Sequence, residues 1–263
     1  MATASWLRFE LLAVMAVATA VFLSVPLTMG RLGLGWDTLN HHIYLGWMAE
    51  NGRQFHDYFA AGGQSAQFPW LYWPVYKLAV SGASGVVAGS VLALLHLVTV
   101  PPVWMVARTL IPGENLQAAI FRACAVALAF MSAVPLKTLE ATGNDLLAAA
   151  PFLWSFALAL ASFGQARPGR RAFWAGVLGG VAVAFKLSNG PLVVLVPLVF
   201  LFAPHAWSVR ARTIAAFCAG SVAGFLVTYG PWGYDMWRLF GNPVFPFADG
   251  AFALLRDAVG WRR

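Results

Sequence analysis

The sequence predicts an all-α, polytopic integral membrane bundle of about seven membrane segments, with a large first loop that carries amphipathic helices. Three observations predict it. Of the 263 residues, 60% are apolar and only 10% are charged, whereas a water-soluble domain carries roughly a quarter charged residues. The apolar residues gather in runs close to the ~20 residues that a helix needs to cross the hydrocarbon core. The polar and turn-forming residues fall between those runs. The lipid bilayer is therefore the main solvent of the chain, read as a single membrane domain over 1–263.

The segments follow in order. Arg8 precedes an apolar run too long for a signal-peptide core and without a small-x-small cleavage site, so 9–28 reads as a retained anchor. The remaining candidates are 84–108, 116–135, 145–164, 172–188, 191–204 and 212–230. The fifth and sixth of the seven are short and flank Ser188-Asn189-Gly190-Pro191. They are either two tilted spans meeting at a polar turn or a broken pair whose backbone lines a cavity. Cys124 and Cys218 each sit inside an apolar run and read as small buried hydrophobes. Two such residues on separate spans make neither a zinc site nor a disulfide framework.

Net charge is +7, yet the basic residues form no single patch, which excludes nucleic acid as a partner. Short basic groups between apolar runs instead set membrane orientation. With a cytoplasmic N-terminus, the cytoplasmic side receives Arg8, Arg108, Arg122, Arg167 to Arg171, Arg210 and Arg212, with Glu10 and Glu114. The opposite side receives Asp37, Glu50, Asp57, Glu140, Asp145 and Asp235, with Lys137 and Lys186. The terminal Arg262-Arg263 pair falls on the exterior side and is an exception to the positive-inside pattern.

The first exterior loop, 29–83, is the longest connection, and long loops of this kind are more often functional than idle. Asp37 to Glu50 reads as a helix with Asp37 at its N-cap. Leu39, Ile43 and Met48 give it the pattern of a helix lying along the interface, and Asn51-Gly52 ends it. Ala60 to Ser65 is a flexible turn, and Phe68 to Tyr76 suits an aromatic belt at headgroup depth. The tail, 231–263, is again exterior, aromatic and Pro-rich.

Chemistry is expected where polar groups concentrate, in Gly35 to Tyr44 and on through His56-Asp57-Tyr58-Phe59. Asp37, His41 and Tyr44 are spaced i, i+4, i+7 and share one helical face. A carboxylate beside an imidazole serves as a general base or as part of a metal site, so no cofactor is required and a divalent metal stays open. The bland alternative is a capping Asp with His residues at headgroup level. His56-Asp57 adds a second carboxylate to the same site or is an ordinary loop pair. Gly143-Asn144-Asp145 is a helix cap or a further carboxylate on the same side. Lys186 is a cation at the rim of an apolar span, which needs a partner such as an anionic phosphate, or else snorkels to the interface. No HExxH, Asp-rich metal loop, GxGxxG or P-loop is present.

One span, a large exterior loop with an early Asp and an amphipathic helix, then further spans, resembles the GT-C superfamily of membrane glycosyltransferases. Phe185-Lys186-Leu187-Ser188-Asn189-Gly190-Pro191, Gly241-Asn242-Pro243-Val244-Phe245-Pro246 and Gly143-Asn144-Asp145-Leu146 look like segments of bacterial members. The resemblance implies a polyprenyl-phosphate-linked sugar donor and transfer on the exoplasmic face of a bacterial inner (plasma) membrane. It makes Asp37 the catalytic carboxylate, to which the residue pattern adds His41 and Asp57. By the resemblance Lys186 faces the lipid phosphate and Asp145 and Asn242 shape the pocket; the residues themselves add Tyr44 and Asn189 to the substrate-binding set. The chain departs from the pattern in two ways: Asp37 is followed by Thr38 rather than by a second acid, and many relatives are longer, so the sequence reads as the seven-span core alone. Two other readings compete. The broken pair with Lys186 suits a transporter or flippase, although no second half repeats the break. The length suits a non-catalytic subunit or truncated remnant with a membrane protein partner.

Overall fold

In a lipid solvent every backbone polar group has to pair within the chain, so apolar runs become helices. The structure, a computed structural model, describes residues 2–57 and 59–261, and the side chains of these except 2–8 and 134. The Arg8 side chain, Tyr58 and the Arg262-Arg263 pair lie outside the described residues. The described chain is all-helical, with no strand. Its α-helices are α1 (Ala2–Met29), α2 (Ile43–Asn51), α3 (Trp73–Val80), α4 (Gly85–His96), α5 (Val100–Leu110) and α6 (Leu116–Phe130). They continue with α7 (Ala133–Glu140), α8 (Asp145–Ala161), α9 (Gly169–Phe185), α10 (Gly190–Leu195), α11 (Trp207–Phe240) and α12 (Asp249–Ala258).

Three helical stretches, rather than seven, are long and apolar enough by themselves to cross a membrane: Phe9–Met29, Gly85–Leu110 and Trp207–Phe240. They fit an integral membrane protein. The other apolar segments, Leu116–Phe130, Asp145–Ala161 and Leu187–Phe202, are shorter. Proline divides the last of these. Pro191 opens α10 and Pro197 opens a 3-10 stretch, Val196–Phe202, because a residue without an N–H is tolerated in a first turn but not within a helix.

The closest packing is between α9 and α11, and glycine makes it. A Cβ on Gly176 would lie 2.0 Å from the Phe217 carbonyl oxygen, and one on Gly220 would lie 2.1 Å from that of Phe173. Gly180 and Gly224 repeat the contact one turn on, so both helices carry small-xxx-small seams that bring backbone onto backbone. Residues 173–180 face 217–224 in the same order, so the two helices run parallel and 187–202 carries the chain back between them.

At one end of the bundle Arg122, fully buried, grips Glu10 of α1 and donates to the carbonyls of Ile111 and Gly113 at 2.9 and 3.0 Å. At the other end the loop between α1 and α4 folds onto the tip of α11. Gly33 N–H donates to the Glu140 carbonyl at 2.7 Å, which ties the loop to the end of α7.

Several local expectations are corrected. Asp37 is helical (φ −60°, ψ −38°) and caps no N–H group. Leu45 and Met48 of α2 are buried with Tyr229, Trp232 and Met236 of α11, so this face of α2 packs onto the bundle. Its end matches expectation: Gly52 is left-handed (φ 62°) and donates to the Met48 carbonyl. The turn at Ala60 to Ser65 holds a 3-10 stretch, Gly62–Ala66. The helix predicted to stop at 230 runs through Pro231 to Phe240, and the tail beyond forms α12. Cys124 and Cys218 are exposed, on helix faces that lipid covers as readily as protein does.

Candidate functional site

The loop end of the bundle collects most of the acidic and imidazole groups. A single π turn, Thr38–His42, leads into α2, and the Ile43 N–H reaches back to the Thr38 carbonyl. The wider turn buries two consecutive histidines, His41 and His42, under an exposed Asp37. π turns of this kind recur at functional sites. Asp37 Oδ1 stands 3.8 Å from His41 Nδ1.

His42 is fixed from two sides. Its ring stacks on Tyr72 at 4.8 Å, and its Nδ1 lies 2.7 Å from Thr142 Oγ1, which in turn lies 2.7 Å from Thr38 Oγ1. The Gly35 N–H donates to Thr38 Oγ1 at 3.2 Å. With every hydroxyl proton given an acceptor, Thr38 donates to Thr142 and Thr142 donates to His42 Nδ1. The proton of the neutral ring then sits on Nε2. Burial, followed by the neighbouring His41, pushes His42 down to about 4. Burial also lowers His41, although Asp37 pulls it back up. Both rings are neutral at pH 7. Burial raises the Tyr72 phenol to about 12, so it stays a proton donor; it bonds to Gln67.

Asp145 opens α8 and Lys186 closes α9, and the two form an ion pair. Each charge complements its own helix end, a carboxylate at an N-terminus and an ammonium at a C-terminus. Lys186 is extended (φ −151°, ψ 109°), which ends the helix and turns the chain outward. Tyr72, which stacks on His42, donates to Gln67, and Gln67 lines the same groove as Lys186. Asn189 donates to the carbonyls of Ala148 (3.1 Å) and Ala182 (2.9 Å). It pins the break in place between α8 and α9.

Beside Lys186 opens a groove of about 410 Å³. Its walls include Phe68, Phe185, Tyr229 and Phe245, and Gln64 and Gln67 add polar groups. A cation at the rim of an aromatic trough suits an amphiphile with an anionic head.

Three predicted site residues lie elsewhere. Tyr44 donates to Asp57 at 3.3 Å instead of joining His41, because the π turn adds a residue to the register that i, i+4, i+7 assumes. Asp57 is held by Arg53 through two hydrogen bonds, at 2.6 and 3.1 Å, and the guanidinium keeps its carboxyl below the usual range. Asn242 is fully buried and spends its amide on its own turn: it donates to the Phe247 carbonyl and Asp249 and accepts from the Val244 N–H. Conversely, sequence reasoning missed His42, Tyr72 and Thr142. Only the His41-His42 doublet carried a signal for any of them. Among the described residues no group of three or more His, Cys, Asp or Glu is placed to hold a metal ion.

Compared with known proteins, the chain matches no family model, no curated protein and no solved structure.

Proposed function

We propose that this protein is a GT-C-type membrane glycosyltransferase that moves a sugar from a polyprenyl-phosphate donor to an acceptor hydroxyl on the exoplasmic face of the membrane. The observation that carries the reading is the placement of Lys186: at a helix break, paired with Asp145, on the rim of an aromatic groove. In this reading the groove takes the first isoprene units and Lys186 meets the phosphate. An ammonium has three donors, so it can hold a phosphate oxygen without releasing Asp145.

The acceptor oxygen attacks the anomeric carbon, and its proton passes to Asp37 as general base. The bond from that carbon to the phosphate oxygen breaks, and its electron pair leaves with the phosphate, whose growing charge Lys186 stabilises. The neutral His41, 3.8 Å from Asp37, and His42 behind it bring no positive charge that would compete for the phosphate.

The same reading has the chain pass through the membrane seven times, with the site end exoplasmic. The segment 187–202 supports this despite its length. Ten of its residues are in 3-10 stretches and six in α10, so it extends about 29 Å, close to a hydrocarbon core of about 30 Å.

The test is mass spectrometry of the lipids that stay bound after gentle purification, wild type against Lys186→Ala. The expected result is a polyprenyl phosphate or its glycoside in the wild type that is lost in the variant. Bulk phospholipid alone, the same in both, overturns the proposal.

A further inference from the structure

The aromatic groove holds one feature that its packing does not explain. Tyr229, on α11, is 2% exposed, and its hydroxyl has no hydrogen-bond partner. Buried hydroxyls are nearly always paired, and one left unpaired costs stability. Packing alone is served without it. The Tyr229 ring stacks on Phe225 at 5.0 Å and leans on Phe68 at 6.3 Å, contacts that a phenylalanine makes equally well. Of the unpartnered buried atoms among the described residues, this one belongs to the side chain that lines the groove with Lys186.

We propose that Tyr229 is a headgroup-binding residue: its hydroxyl donates a hydrogen bond to a phosphate oxygen of the lipid in this groove, alongside the Lys186 ammonium. The proposal rests on the lipid-phosphate reading above and deepens it. A phenol suits the role because it donates without adding charge. One ammonium with one neutral donor recognises a lipid-linked phosphate without needing a second cation in an apolar wall. As the groove stands the hydroxyl is closed to solvent. The ring placed to give way is Phe68, which touches Tyr229 on one side and stacks on Phe185 at 6.0 Å on the other. An arriving lipid therefore displaces an aromatic ring and gains a donor that the protein leaves unpaired.

Tyr229→Phe separates this role from a structural one, because the two predict opposite signs. The full-length protein in detergent is titrated with polyprenyl phosphate, with polyprenol, which lacks the phosphate, and with phosphatidate as a bilayer phosphate lipid. Thermal unfolding is measured without added lipid. The expected result is about tenfold weaker binding of polyprenyl phosphate in the variant, the cost of one hydrogen bond to a charged group. Polyprenol binding is unchanged, and Tm is equal or higher. Equal affinity of the two proteins for phosphate lipids overturns the proposal, and so does a lower Tm in the variant, which reveals an internal partner for the hydroxyl. If wild type prefers phosphatidate and the variant weakens it, the role of Tyr229 stands and the polyprenyl donor falls. If wild type binds no phosphate lipid, both fall.

Discussion

Arg122 and Glu10, 112 residues apart, close a two-pronged ion pair inside the bundle: Nε donates to Oε1 at 2.7 Å and Nη2 to Oε2 at 2.6 Å. Trp104 adds a third bond to the same carboxylate at 2.8 Å, and Nη1 of the guanidinium donates to two backbone carbonyls. The pair was expected as two separate charges marking one side of the membrane. It is a single satisfied network that joins α1, α5 and α6. Removing one partner of such a pair leaves the other charge buried and alone, at a cost of about 3–5 kcal/mol. Arg122→Ala therefore lowers thermal stability in detergent sharply, and Glu10→Gln does so less. An Arg122→Met, Glu10→Leu double variant recovers much of the loss. A single variant as stable as wild type would show that the pair contributes nothing.

The α9–α11 seam makes a second prediction. Gly224→Ala drives a methyl onto the Val177 carbonyl, 2.1 Å away, and destabilises by about 1–3 kcal/mol or more. Gly250, in the first turn of α12, has no other group within 4 Å of where its Cβ would be and is followed by Ala251. Gly250→Ala should instead gain up to about 1 kcal/mol from helix propensity. The two Tm shifts are expected to have opposite signs.

Asp37→Asn tests the proposed base. Removing a general base costs about 10²–10⁴-fold in rate. Asp37 is exposed and caps nothing, so the variant folds as wild type does. Transfer from a radiolabelled polyprenyl-phosphate sugar is the readout, and unchanged transfer would remove Asp37 from the mechanism. Asp57→Asn, which breaks an ion pair with Arg53 away from the groove, is expected to leave most of the activity.

The buried His42 sets an acid limit on stability. Its folded value of about 4 lies below its ordinary 6.5, so between these values the unfolded chain binds the extra proton. Stability is then complete above about pH 6.5 and falls as the pH drops towards 4. The loss is about 2 kcal/mol at most after allowance for residual solvent screening. His42→Gln should flatten that slope in pH-dependent unfolding, and an unchanged slope would place the titration elsewhere.

The sequence made legible what depends on composition and on single residues out of place. The apolar runs announced helices, and the helix break at Lys186 to Pro191 announced itself. Asp145 and Lys186, read separately as candidates on one side, pair in the structure. Contacts that depend on register or on distant partners stayed hidden. One π turn redirected Tyr44 to Asp57, and nothing in a run of aromatics distinguished Tyr72, which stacks on His42, from its exposed neighbour Trp70. Nor could hydropathy show that Cys124 and Cys218 are exposed, since lipid and protein interior are equally apolar. Pro231 reads as a stop, yet α11 passes through it, held by burial of Tyr229, Trp232 and Met236 beneath the loop.

At 34 residues α11 is a rod of about 51 Å, and its glycine seam sits just below the two residues that flank the groove. Gly180 lies on the strut that ends in Lys186, and Gly224 on the strut that bears Tyr229. The jaws of the site are therefore gauged by main chain resting on main chain, with no rotamer in between to slacken. Such a caliper has a fixed opening. Its opening limits by girth what can enter, and it can adapt through the aromatic rings at its tips rather than through the arms.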